Sequence, residues 1–119
     1  MSPGNEIEKL LEGFKKNPEI EDVTLVSRSG MHIAGEIPGD AHRETFVAMS
    51  AILLGAAETA TSELNEKLSH VIIELKGSKI IIQNGGPSAL LATKITPKAD
   101  VDEILSESYN VIEKIKEHL

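Results

Sequence analysis

The chain has 119 residues, a formal net charge of −7, 40% hydrophobic and 3% aromatic residues, and no cysteine. Its length is that of one ordinary domain, and the apolar fraction is sufficient for a core of Ile, Leu, Val and Ala. The acidic charge and the scarcity of aromatic side chains argue against binding to nucleic acid or to an anionic membrane surface. The absence of cysteine excludes disulfides and thiolate sites, and it is consistent with a reducing compartment.

No segment is expected to span a bilayer, because none combines enough length with enough hydrophobicity. Residues 1–9 lack the basic and apolar regions of a signal peptide. The chain contains no internal repeat, linker or low-complexity segment. We therefore expect residues 1–119 to form a single cytoplasmic domain.

The first third of the chain predicts a short helix followed by a β-hairpin. Apolar residues at i, i+3, i+4 and i+7 indicate a helix from a cap at Asn5 to about Lys16. Alternating apolar and polar residues then predict one strand at 20–27 and a second at 31–35.

The longest helical segment covers residues 42–68, with no proline and a single glycine. At about 100° per residue, one apolar stripe is predicted to face the core. That stripe consists of Phe46, Met49, Leu53, Ala57, Ala60 and Leu64. The opposite side of the first half is also apolar or small, and a helix that is apolar all round needs cover on both sides. The alternative is that the small residues there only raise helix propensity.

The remainder predicts three strands, at 69–76, 79–84 and 88–95, and a final helix capped by Asp100. Three consecutive isoleucines, at 80–82, suggest that the sheet is covered on both faces. The predicted order is α-β-β-α-β-β-β-α. It indicates a mixed α/β (α+β) fold with a five-stranded antiparallel sheet and helices on both faces.

No catalytic, cofactor-binding or metal-binding constellation stands out, and we expect none. The four histidines lack the spacing of a metal site, and no Gly-x-Ser-x-Gly elbow is present. The glycine-rich run at 84–88 leads into a strand and lacks a following Lys-Ser/Thr, so we interpret it as a turn and not as a phosphate loop.

The sequence instead points to a surface for assembly. If the strand at 69–76 lies at an edge of the sheet, its free N–H and C=O groups invite another strand. Pairing across a two-fold axis would extend the sheet and bring two long helices together. The predicted dimer interface consists of Val47, Ala48, Ala51, Ile52, Gly55, Ile72 and Glu74. The alternative is that Glu74 and Lys76 protect an exposed edge.

Four segments have a recognisable pattern: 23–34, the alanine-rich long helix, 72–82 and 90–92. In combination they resemble the roadblock/dynein light chain family, of the prokaryotic GTPase-regulator type, over residues 6–119. Many members have Asp where Ser29 stands, and His32 is more polar than the family pattern. The resemblance implies a profilin-like fold and a homodimer, or a heterodimer with a related chain, in which the third strand pairs across the dyad.

The resemblance also implies a scaffold or regulator of Ras-like small GTPases. Prokaryotic members of the family stimulate GTP hydrolysis by repositioning elements of the GTPase. The two arginines, Arg28 and Arg43, are expected at the surface and not as an arginine finger. The paired long helices are expected to be the docking platform, with three flanking residues: Glu44, Glu58 and Thr59. Alternative functions are a small-molecule-sensing profilin-like domain and a motor-complex adaptor.

Overall fold

The computed structural model describes residues 3–119, so the first two residues of the predicted domain lie outside the described residues. The elements, in order, are α1 (Pro3–Phe14), β1 (Ile20–Ser27), β2 (His32–Gly35), α2 (Arg43–Thr61), β3 (His70–Glu74), β4 (Lys79–Asn84), β5 (Ala89–Ile95) and α3 (Val101–Lys116). This order confirms the one predicted from the sequence.

The five strands form one antiparallel sheet in the order β2-β1-β5-β4-β3. β5 lies at the centre, between the β1–β2 hairpin and the β3–β4 hairpin. The edges of the sheet are therefore β2 and β3. This arrangement meets the condition on which the predicted strand pairing depended, namely that β3 is an edge strand.

Each face of the sheet carries its own core. α1 and α3 cover one face, with Leu91 and Ile81 among the buried side chains beneath them. α2 covers the other face, over a smaller core that includes Leu90 and Ile82. Because successive strand residues point to opposite faces, neighbouring residues of β4 and β5 belong to different cores. The three isoleucines of β4 thus divide between both cores, as their pattern predicted.

The predicted core stripe of α2 was wrong. The buried residues of this helix are Val47, Ser50 and Leu54. Met49 is 53% exposed and Leu53 38% exposed. The other members of the predicted stripe also lie away from the centre of the buried side, with Phe46 and Ala57 half-buried and Ala60 and Leu64 exposed.

The cause is a serine at a core position. The hydroxyl of Ser50 donates to the carbonyl oxygen of Phe46 at 2.7 Å, so its polar group is satisfied inside the helix and it tolerates burial. A stripe defined by apolar residues alone passes over Ser50 and selects Met49 and Leu53 in its place. The helix is consequently rotated from the predicted orientation, and it presents apolar residues outward.

The predicted helix at 42–68 also ends earlier than expected. α2 stops at Thr61, a 3₁₀ turn covers Ser62–Leu64, and Asn65 adopts the left-handed conformation at φ 57°. The Thr61 hydroxyl donates to the carbonyl oxygen of Ala57 at 2.8 Å, which competes with continuation of the helix. Asparagine tolerates left-handed φ better than most residues, so it terminates the segment at this point.

The two terminal helices differ in how they begin. α1 starts at Pro3, where a missing N–H is harmless, and not at the predicted Asn5 cap. α3 starts as predicted, with the Asp100 side chain accepting from the backbone N–H of Glu103 at 3.2 Å. The N–H of Asp100 donates to Glu19, which connects this cap to the residue preceding β1.

Candidate interaction surface

The outward side of α2 is an exposed apolar strip. We call it the α2 crest and define it as Met49, Ile52, Leu53, Ala56 and Ala60. Ile52 is 58% exposed, and the crest lies opposite the buried side of the helix. Large apolar side chains grouped on one exposed surface are typical of an interaction site.

An apolar groove of about 340 Å³ separates α2 from strands β3 and β4. Its helix wall includes Phe46, Met49 and Leu53, and its floor consists of Ile73, Ile80 and Ile82. The polar groups at its margin are already engaged, since the ring of His42 caps α2 at the N–H of Thr45. The groove runs beside the edge strand, so the crest and β3 are adjacent parts of one surface.

The edge of β3 offers backbone hydrogen-bonding groups. The N–H of Leu75 donates to the carbonyl oxygen of Ser78 at 2.9 Å, which directs the backbone groups of Leu75 toward β4. Because this direction alternates along an antiparallel strand, the backbone groups of His70, Ile72 and Glu74 point away from β4. Within residues 3–119, β3 pairs with β4 alone, and the opposite side is free.

The structure separates the two halves of the predicted dimer interface. Ile72 and Glu74 lie on the free edge of β3 and are exposed. Val47 is 3% exposed in the core of its own chain, so its assignment to the outer face was wrong. Ala51 is half-buried against the same core, whereas Ile52 lies on the crest as predicted.

The small residues of α2 also face away from β3. The backbone of Ala48 packs beside Gly30, in the turn between β1 and β2. Gly55 lies on that same flank, two helical turns after Ala48. The flank of α2 that adjoins β3 is instead formed by Met49 and Leu53, which the sequence pattern had assigned to the core.

The three residues expected to dock a partner differ in their surroundings. Glu44 and Thr59 are exposed. Glu58 is half-buried and forms an ion pair with Arg28, which joins α2 to the β1–β2 turn. Arg28 is therefore occupied in a contact within the chain, while Arg43 lies exposed at the start of α2.

The remaining chemistry of the described chain is sparse. Among residues 3–119, no group of three or more His, Asp or Glu side chains is placed to share a metal ion. Burial raises the pKa of Asp22, against the lowering effect of Lys15. A hydrogen bond from Lys94 to Glu21 raises the pKa of that lysine. These groups lie on β1 and β5 and at the end of α1, away from the crest and β3.

The expectation that no segment is long and apolar enough to span a bilayer was wrong. The segment Arg43–Leu64, with 22 residues, is long and apolar enough to cross a membrane by length and composition. The buried side of this helix packs on the sheet of its own domain through Val47 and Leu54. We therefore interpret the segment as the core helix of this fold with an uncovered outer side.

Comparison with known proteins supports this fold. The chain is 27% identical over 111 residues to the uncharacterized protein MJ1340 of Methanocaldococcus jannaschii, covering 92% of this chain and 96% of that protein. Its structure matches gliding protein MglB of Thermus thermophilus with a TM-score of 0.86 at 15% identity, covering 99% of this chain and 91% of that one. A profilin of Schizosaccharomyces pombe matches with a TM-score of 0.67 at 12% identity, over 91% and 94% of the two chains. The profilin-like fold is thus confirmed.

The family model of the Roadblock/LC7 domain matches residues 6–94. This stretch includes both sheet edges, the crest and the groove, and it ends before α3. The chain therefore belongs to the Roadblock/LC7 family.

Proposed function

We propose that this protein is a non-catalytic, cytoplasmic homodimer that binds and regulates a Ras-like small GTPase. The observation that carries the proposal is the exposed apolar crest of α2 lying beside the free edge of β3. Membership in the Roadblock/LC7 family and the structural likeness to MglB support it.

In the proposed dimer, β3 pairs with β3 of a second copy across a two-fold axis perpendicular to the sheet. This operation keeps both copies of α2 on the same face of the joined sheet. The groove then closes against the partner, and Met49 and Leu53 lose their contact with water. We therefore assign the helix side of the interface to these two residues, together with Ile72 and Glu74 on the strand.

The GTPase is proposed to dock on the outer part of the paired helices. Ile52 and Thr59 lie on that outward side, and Glu44 is exposed at the start of the helix. Glu58 stays in its ion pair and supports the position of Arg28. We propose that regulation occurs by repositioning GTPase elements. Arg28 is held in a contact inside the domain and is not placed to act as an arginine finger.

Binding and turnover assays test this proposal. The protein is mixed with each small GTPase encoded near its gene, loaded with GDP or with a non-hydrolysable GTP analogue. We expect binding that depends on the nucleotide, and a change in GTP turnover. Thr59→Arg should weaken this binding, whereas Ser106→Arg, at an exposed position on α3, should not. A failure of all candidate GTPases to bind would contradict the proposed function.

The groove itself supports a second candidate function, the binding of a small apolar molecule. Its volume of about 340 Å³ falls at the lower end of the range for ligand pockets. Few polar groups line it, so a ligand there would be bound mainly by its apolar surface. Native mass spectrometry distinguishes the two functions, because a retained ligand would favour sensing, and a ligand-free dimer would favour the interaction module.

A further inference from the structure

A cleft at one end of the sheet is lined by basic side chains. It lies where the end of α3 meets the β1–β2 turn, the β4–β5 turn and the loop before β3. We call it the basic cleft and define it as a cavity of about 430 Å³ whose lining includes Arg28, Glu58, Lys67, Asn84, Gly86 and Lys116. It shares no lining residue with the apolar groove beside α2.

The charge of the basic cleft is opposite to that of the chain as a whole. Three of its lining side chains are basic and one is acidic, whereas the chain has 12 Lys and Arg residues against 19 Asp and Glu residues. The three basic residues come from separate parts of the sequence, so the fold brings them together. A concave site lined mainly by one sign of charge concentrates ions of the opposite sign. The basic cleft therefore favours an anion.

Some of the hydrogen-bonding capacity of these basic groups is unused. Arg28 donates through Nη2 to Glu58, but its buried Nη1 has no hydrogen-bond partner among the described residues. Lys67 forms no ion pair within the described part of the chain. Lys116 pairs with Glu113 on the same helix, in an exposed contact of the kind that contributes little to stability. These groups are therefore able to donate to a bound anion.

The β4–β5 turn shapes the cleft without supplying donors to it. The N–H of Gly85 donates to the carbonyl oxygen of Ala89 at 2.9 Å. The N–H of Gly86 donates to the side chain of Asn84 at 2.9 Å. Gly86 has φ +105°, and a Cβ there would lie 3.2 Å from Cε of Lys116, so glycine leaves room for the lysine to lie across the turn. The binding groups are thus the basic side chains and not the backbone of the turn.

A second cavity, of about 290 Å³, adjoins the basic cleft along α3. The two cavities share four lining residues, namely Lys67, Asn84, Gly86 and Lys116. The second cavity is also lined by Leu68, Ile112 and Tyr109, and Tyr109 is 41% exposed. An exposed tyrosine ring beside apolar side chains offers a surface on which a planar ring stacks. An anionic group and a planar ring in one molecule would occupy both cavities.

We propose that the basic cleft binds a small phosphate ester that carries a planar ring, of the mononucleotide type. The phosphate contacts Lys67, Lys116 and the guanidinium of Arg28, and the ring stacks on Tyr109. Phosphate matches three converging basic groups better than a carboxylate does, because it carries about −1.5 to −2 charge at pH 7 and three acceptor oxygens. The site lies apart from the α2 crest and the groove, so its binding does not depend on the proposed dimer or on a GTPase.

Titration of the isotope-labelled chain with separate parts of the ligand tests the proposal. The probes are the four mononucleotides, adenosine, ribose 5-phosphate and inorganic phosphate, and the readout is the backbone amide signals of Lys67, Asn84 and Gly86. We expect at least one mononucleotide to shift these signals and to bind at least about fivefold more tightly than adenosine or ribose 5-phosphate. No shift with any mononucleotide at millimolar concentration would overturn the proposal. A glutamate-rich peptide that binds at these residues in place of every mononucleotide would overturn the ligand class.

A pair of charge reversals separates a built site from general attraction. Lys67→Glu combined with Lys116→Glu should weaken binding of the mononucleotide at least about tenfold. Lys98→Glu combined with Lys114→Glu is the matched control, since it changes the net charge equally and lines neither cavity. All four lysines are exposed, so both double variants should fold. Equal losses of affinity in the two double variants would overturn the site.

Truncation of the tyrosine tests the contact with the ring. Tyr109→Ala should weaken binding of the mononucleotide by about 5- to 150-fold and leave the affinity for ribose 5-phosphate unchanged. Asn110→Ala, at the neighbouring exposed position of α3, should change neither affinity. An unchanged mononucleotide affinity in Tyr109→Ala would overturn the stacking contact.

Discussion

Met49 provides the sharpest test of the dimer, because the sequence pattern placed it in the core and the structure leaves it exposed. We predict that Met49→Asp separates the dimer while the domain stays folded. The side chain is 53% exposed in the single chain and lines the groove beside β3. A carboxylate at this position is hydrated in the monomer but buried in the proposed dimer.

The expected change in the dissociation constant of the dimer follows from the exposed fraction of Met49. Full burial of a methionine side chain stabilises by about 1.5–3 kcal/mol, so burial of the exposed 53% contributes about 0.8–1.6 kcal/mol per subunit. The two copies together contribute about 1.6–3.2 kcal/mol, or about 15- to 200-fold in the dissociation constant. Met49→Ala removes most of this contribution. Met49→Asp adds the desolvation penalty of two carboxylates, so its dissociation constant should rise well beyond that of Met49→Ala.

Sedimentation velocity over a concentration series measures the dissociation constants, and circular dichroism measures the helix content. Ser106→Asp is the matched control, since it adds the same charge at an exposed position on α3. The apparent melting temperature of the parent should rise with protein concentration, because dimerisation stabilises the folded chain by mass action, and Met49→Asp should lose most of this dependence. Equal dissociation constants for Met49→Asp and Ser106→Asp would refute the assignment of this flank to the interface.

Three further predictions concern the single chain, and urea unfolding checks each. The hydroxyl of Ser108 donates a hydrogen bond to the buried side chain of Gln83 at 2.7 Å. Ser108→Ala removes this bond and should lower the free energy of unfolding by about 1–3 kcal/mol, whereas the double variant with Gln83→Met should recover much of the loss. Burial raises the pKa of Asp22, so ionisation of this carboxyl lowers the free energy of unfolding as the pH rises above the usual pKa of 3.8. The free energy of unfolding of Asp22→Asn should therefore equal or exceed that of the parent at pH 7, and the advantage should be lost at pH 3. Gly35→Ala should cost more than about 2 kcal/mol, because φ is +83° and the new Cβ would clash with the carbonyl oxygen of Val23. Gly13→Ala in α1, where a new Cβ meets no other atom, should be neutral or stabilising.

The order of elements was predictable because each element has its own local signal. The β3–β4 hairpin follows from two alternating segments around a Gly-Ser turn, and the cap at Asp100 follows from its spacing to Glu103. Sequence patterns within a single element do not indicate which strands β5 pairs with. The central place of β5 depends on pairings between distant segments, such as Ile20 with Ile95.

The orientation of α2 could not be read from the sequence for a related reason. Its outward side is about as apolar as its inward side, so periodicity alone does not distinguish them. Burial of Ser50 depends on a hydrogen bond to the helix backbone, and exposure of Met49 depends on a surface that a single chain leaves uncovered. The need for a second partner was inferred from the helix as a whole and stays a prediction. Ile52 was assigned to the correct side, whereas Val47 and Met49 were assigned to the wrong sides.

The central place of β5 has a consequence for synthesis on the ribosome. Until residues 89–95 emerge, β1 and β4 each have an inner edge with no strand to pair with, and the two hairpins have no shared sheet. Folding must therefore wait for a long-range closure that involves most of the chain, which is characteristic of slow-folding topologies. A nascent chain that stalls before Ala89 would expose unpaired strand edges, which are templates for pairing with other chains.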